Sequence, residues 1–157
     1  MGPIIVTRDV QASPDAVFTI VADIPGRADR LRAIRTVEML SDKPVGQGTH
    51  WRETRVLFGS ASTEEMTITS FDPPHAFQVE SESYGTHYTI RYEVTPMDAG
   101  ARIRISFAAK PLTMSAMMAL PLAWFMRRTT RKMLRWDLDQ LADQAEGKQT
   151  PETPAKA

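Results

Sequence analysis

The sequence predicts an α+β domain: a curved antiparallel seven-stranded sheet around a long C-terminal helix, with two short helices after strand 1. Three observations carry this. Between about residues 35 and 112 the chain alternates polar and apolar residues in short runs separated by turn residues, the pattern of an antiparallel meander. From 114 to 146 the apolar spacing becomes helical. One strand and two short helical segments come before the meander.

Each element has its own signal. "IIVTRDVQA" at 4–12 is rich in β-branched residues and reads as strand 1. In "SPDAVFTIVAD", Ser13 caps a helix, Pro14 suits its first turn and Asp15 favours the positive end of the dipole. Pro25-Gly26 stops that helix, and "RADRLRAI" is a second, short one ending near Ile34. Six strands follow: "RTVEML", "THWRETRVLF", "ASTEEMTITSFD", "AFQVESES", "THYTIRYEVTP" and "ARIRISFAAKP". The last alternates most cleanly, with Ile103, Ile105 and Phe107 against Arg102, Arg104 and Ser106, so one face is buried and one is wet. In the C-terminal helix an apolar stripe runs through Met118, Leu122, Met126, Met133, Leu134, Leu138, Leu141 and Ala145. Pro121 lies inside that pattern, where a kink or a helix start is expected. Residues 1–146 are expected to form a single domain, and the tail 147–157 is expected to be disordered.

Composition excludes several classes. The 157 residues fit one domain, and 19 basic against 19 acidic residues give no net charge, which argues against a general nucleic-acid binder. There is no cysteine, hence no disulfide, thiol nucleophile or zinc–thiolate site. No segment reaches the roughly 18 apolar residues of a membrane span. A cytoplasmic location is expected. His50, His75 and His87 show no metal-ligand spacing, and "GQGTH" lacks the lysine and following helix of a phosphate loop, so neither a metal nor a cofactor is expected.

The order of elements resembles the START-like (SRPBCC) superfamily, the helix-grip fold shared with the birch-pollen allergen. Within it the chain is similar to the polyketide cyclase/dehydrase and lipid transport branch. The resemblance rests on "VQASPDAVFTIVAD", "VGQGTHWRE", "FDPPHAFQVES", "AGARIRISF" and the Met- and Leu-rich C-terminal helix, and covers about residues 4–146. It implies a cavity between sheet and helix for lipids, sterols, polyketides or plant hormones, in a family of which only some members catalyse a reaction.

The run "VGQGTHWRETRVLFGS" at 45–60 places Trp51, Glu53 and Arg55 on one face of a strand. A strand lining a cavity need not be cleanly apolar, so Trp51 is a candidate wall and Glu53 a candidate polar anchor or general acid/base. Arg55 or Arg8 is its candidate counter-charge. The bland reading of the same face is a structural ion pair. Met66 and Ile68, Tyr88 and Tyr92, Phe107, Met118, Leu122 and Phe125 complete the expected lining. On the helix, Arg127, Arg128, Arg131 and Lys132 read either as a solvated face or as a contact with anionic lipid headgroups, and Arg135–Asp139 as a helix pair.

Three functions follow in order: a carrier or binder of a small hydrophobic ligand; a cyclase or dehydratase using Glu53; and an interaction module with a vestigial cavity. A monomer or homodimer suits each of them.

Overall fold

The computed structural model describes residues 2–148. The expected disordered tail therefore lies, from residue 149 on, outside the described residues. Seven strands form one antiparallel sheet: β1 (Ile4–Val10), β2 (Ile34–Met39), β3 (His50–Leu57), β4 (Ser60–Asp72), β5 (Ala76–Ser83), β6 (Thr86–Met97) and β7 (Gly100–Pro111). Their spatial order is β1-β7-β6-β5-β4-β3-β2, a meander whose last strand pairs with the first. The register sets Ile4 opposite Phe107 and Val6 opposite Ile105, so the apolar parities of β1 and β7 share the concave face.

Helix α1 (Pro14–Val21) begins as its sequence dictates: the Ser13 hydroxyl accepts from the Ala16 N–H at 3.2 Å. It buries Val17, Phe18 and Val21. Phe18 meets Phe71 and Phe77 edge-on at 5.6 and 5.8 Å, which fastens α1 to the sheet. Helix α2 (Arg27–Arg30) is a single turn. It stops well short of Ile34, because Leu31 is already extended and Ile34 opens β2. Arg27 and Leu31 both turn inward and are buried.

The expected C-terminal helix divides at Ala119 into α3 (Met114–Met118) and α4 (Leu120–Ala145). Thr113 caps α3 by accepting from the Ala116 N–H at 3.2 Å, and Pro121 sits in the first turn of α4, where its missing N–H costs nothing. The expected apolar stripe splits with it. Leu134, Leu138 and Leu141 are buried against the concave face. Met118, Leu122 and Met126 are exposed. The first turns of the helix stand off from the sheet across a cleft, so their apolar side chains are not packed on it.

Antiparallel meander geometry gathers several loops at one end. The hairpin tips Phe58-Gly59 and Tyr84-Gly85, the end of β7 and the start of β1 all lie there. Both tips have two consecutive residues at positive φ: 51° and 77° at Phe58-Gly59, 47° and 72° at Tyr84-Gly85. That conformation follows the right-handed twist of a two-residue hairpin. Gly85 is pressed against Thr113, so the second tip touches the base of α3. At the far end, Arg8 ties β1 to the last turns of α4, with its Nη1 at 3.0 Å from Asp139 and its Nη2 at 2.7 Å from Asp143 and 3.3 Å from Glu146. Arg8 is therefore no partner of Glu53, and Asp139 pairs with Arg8 rather than with Arg135. Among the described residues no helix is long and apolar enough to cross a membrane.

Candidate functional site

Two features occupy the concave side. Deep in it lies a polar cluster in an apolar core. Trp51 and Glu53, alternate residues of β3, both point inward and are fully buried. Arg27 reaches down from α2, and its Nε lies 3.0 Å from Glu53 Oε2. The Trp51 Nε1–H donates to the same oxygen at 3.3 Å. Arg55 spans the other Glu53 oxygen, at 3.4 Å, and Asp137 of α4, at 2.7 Å. Arg27 also hydrogen-bonds to Tyr92, whose ring stacks on Phe77 at 4.6 Å. Two guanidiniums thus balance two carboxylates, and α2, β3, β6 and α4 are joined through them.

This balance fixes the protonation of Glu53. Burial by itself pushes its carboxyl up; the Arg27 and Arg55 guanidiniums and the Trp51 N–H outweigh burial and hold it below the usual range. Burial likewise disfavours the charged form of Arg27, but Glu53 and Tyr92 reverse this and hold the guanidinium charged. A proton-transferring Glu53 would need a raised pKa. Its carboxyl is instead held toward the ionised form by its two guanidinium partners.

Nearer the open end lies a cleft of about 730 Å³ between α3–α4 and the strands β1, β6 and β7. Its sheet wall is Ile4, Tyr88, Phe107 and Ala109; its helix wall includes Leu120, Leu122, Ala123 and Met126. Tyr88 and Phe107 face each other across β6 and β7 with ring centres 5.8 Å apart. Arg127 and Thr130 give the cleft a polar edge. A second groove of about 700 Å³ runs along the opposite flank of α4, between Met133, Trp136 and Asp137 and the β3 residues Val56 and Leu57. The cleft thus flanks the first turns of α4, and the groove flanks the stretch from Thr129 to Asp143.

The structure divides the expected lining into three groups. Tyr88, Phe107 and Leu122 line the cleft. Trp51, Glu53, Arg55, Ile68 and Tyr92 lie outside it in the core, and Met66 packs against that core. Met118 and Phe125 are exposed and stand outside the cleft lining, because the helix face that carries them turns away from the sheet. Arg27, which closes the polar cluster, was absent from the expected set. Its one-turn helix has no apolar periodicity that would mark an inward residue. Among the described residues no group of three His, Asp or Glu side chains is placed to hold a metal ion.

A curved antiparallel sheet closed by a long C-terminal helix, with short helices after β1, is the helix-grip architecture. The chain belongs to the polyketide cyclase/dehydrase and lipid transport family, whose model matches residues 3–146. Among solved structures it is similar to the di-domain aromatase/cyclase StfQ of the steffimycin biosynthetic pathway, at 15% identity and a TM-score of 0.75 over 93% of this chain. It spans 51% of StfQ, about half of that di-domain protein. TTHA0849 of Thermus thermophilus aligns over 92% of this chain and 97% of its own, at 16% identity and a TM-score of 0.76. The di-domain aromatase/cyclase BexL of the BE-7585A pathway aligns over 92% of this chain and 50% of its own, at 20% identity and a TM-score of 0.73. At these identities the likeness establishes the fold. A sequence comparison with curated proteins gives no match.

Proposed function

We propose that the protein binds or carries a small hydrophobic ligand, lipid, isoprenoid or polyketide-like, in the cleft between α3–α4 and β1, β6 and β7. One observation carries this reading: a cleft of about 730 Å³ whose walls are mainly aliphatic and aromatic, with Thr86, Ser115, Arg127 and Thr130 as its few polar groups. That volume is in the ordinary range for small-molecule sites, and an apolar wall with few polar groups matches an apolar guest. The polar cluster around Glu53 lies outside the cleft and is satisfied internally, which is consistent with a structural role beside a binding cleft. Transient contact of Arg127, Arg128, Arg131 and Lys132 with anionic lipid headgroups belongs to the same reading, as does a cytoplasmic location.

The experiment is solvent extraction of the purified full chain followed by mass spectrometry of the extract. The reading expects an apolar small molecule at near-stoichiometric amount. An extract free of such molecules, from a protein that also takes up no apolar dye, overturns it.

A further inference from the structure

We infer that the open end of the sheet is a docking surface for an anionic lipid bilayer. It carries a group of large apolar side chains left in water, the kind of patch that marks an interaction surface. Phe58 is 82% exposed, Tyr84 91% and Met118 81%, and Met114, Trp124 and Phe125 are also largely uncovered. These residues come from three separate places in the chain: the β3–β4 tip, the β5–β6 tip, and the α3–α4 segment. Meander topology brings them to one end.

The two tips are informative in themselves. Phe58 and Tyr84 both have φ near +50°, where bulky residues are rare and where this hairpin turn favours Asn, Asp or Gly. At both tips an aromatic ring occupies that strained position and stays uncovered. Packing gives no return for the strain, which directs the explanation toward something outside the molecule.

Charge selects the partner. From Leu112 to Trp136 there is no Asp or Glu, while Arg127, Arg128, Arg131, Lys132 and Arg135 all fall there, in a chain with no net charge. The apolar residues occupy α3 and the first turns of α4, and the basic residues follow over the next turns. That is the order in which a helix entering a bilayer surface meets acyl chains and then headgroups. A second copy seated on the same patch would face five cations with five cations, which opposes an isologous dimer. This deepens the headgroup contact proposed above and rests on that reading only there; the exposed tips and the charge of this segment carry it, and vesicle binding is read separately from what the cleft holds.

The test is flotation of the full chain with phosphatidylcholine vesicles, with and without a minority of phosphatidylserine. The expected result is capture by the anionic vesicles only, weakened by added salt. Arg128→Gln with Arg131→Gln is expected to lower partitioning roughly 25-fold, at about 1 kcal/mol per charge. Trp124→Ser with Phe125→Ser is expected to abolish it. Both positions are exposed, so the folded state is checked by circular dichroism and is expected to be unchanged. Lipid taken into the cleft leaves the protein unfloated, so ligand uptake and docking are read separately. No capture at low salt, capture unaffected by Trp124→Ser with Phe125→Ser, or a dimer in light scattering that the same variant dissolves would overturn the inference.

Discussion

Arg27 and Glu53 meet at 3.0 Å, Nε to Oε2, with only 6% and 1% of their side chains exposed. A one-turn helix thereby places a guanidinium in the middle of a concave sheet. The pair is completed by Arg55 and Asp137, so no charge in the cluster lacks a counterpart. Removing one member is expected to cost far more than removing a matched pair. Glu53→Gln should destabilise the fold by about 3 kcal/mol, because Arg27 remains buried with its nearest counter-charge gone. Arg27→Met with Glu53→Leu should recover much of that loss. Urea denaturation of the single and double variants measures the difference. A double variant as unstable as the sum of its singles would show that the network is not a compensated unit.

The same cluster sets an acid limb to stability. The Glu53 carboxyl titrates below its ordinary value of 4.5 in the folded state. A depressed folded pKa contributes stability that is fully present above the unfolded pKa and is lost as pH falls through the folded one. Denaturant midpoints followed downward from neutral pH should therefore fall below about pH 4.5. Glu53→Gln should flatten that fall. Asp9, Glu65, Glu80 and Glu146 are also held low by their partners, so the informative quantity is the difference between variant and parent.

The two halves of the C-terminal helix should respond differently to truncation. Leu138 is fully buried, and Leu138→Ala should cost about 2–5 kcal/mol. Met118→Ala should change stability by no more than about 0.5 kcal/mol, since its side chain is 81% exposed. Thermal unfolding of both variants checks this. Equal losses would mean that the first half of the helical segment also packs on the sheet.

Tyr84→Asn should stabilise the protein by about 1 kcal/mol, because Asn tolerates the left-handed conformation that Tyr84 holds at φ 47°. The gain should appear as a higher denaturation midpoint with an unchanged slope. A loss of stability would show that the Tyr84 ring packs after all.

Much of this was legible in the chain. The element order, the Ser13 cap, the Pro121 helix start and the shared face of Trp51 and Glu53 each follow from a local rule that uses only neighbouring residues, whereas the inward direction of that face is set by the fold. Arg27 was not legible, because a single turn has no period and nothing in "RADRLRAI" marks one arginine of that short helix as inward. The fate of Met118 and Phe125 was hidden for a different reason. A 3.6-residue period reports which residues share a side of a helix, and says nothing about which side the fold turns toward the sheet. Arg8 shows the same limit: its parity marks it as inward, but only the fold sets the last turns of α4 beside it.

The central claim is that the cleft beneath α3–α4 holds an apolar ligand, and native mass spectrometry of the full chain beside Ala123→Trp tests it most directly. Ala123 is on the helix wall of the cleft and outside the buried core, so an indole there is expected to fill cleft space. The account predicts a bound apolar molecule on the parent protein and none on the variant, with both equally folded. A parent protein with nothing bound after exposure to lipid extract, or a variant that carries the same molecule at the same occupancy, contradicts it.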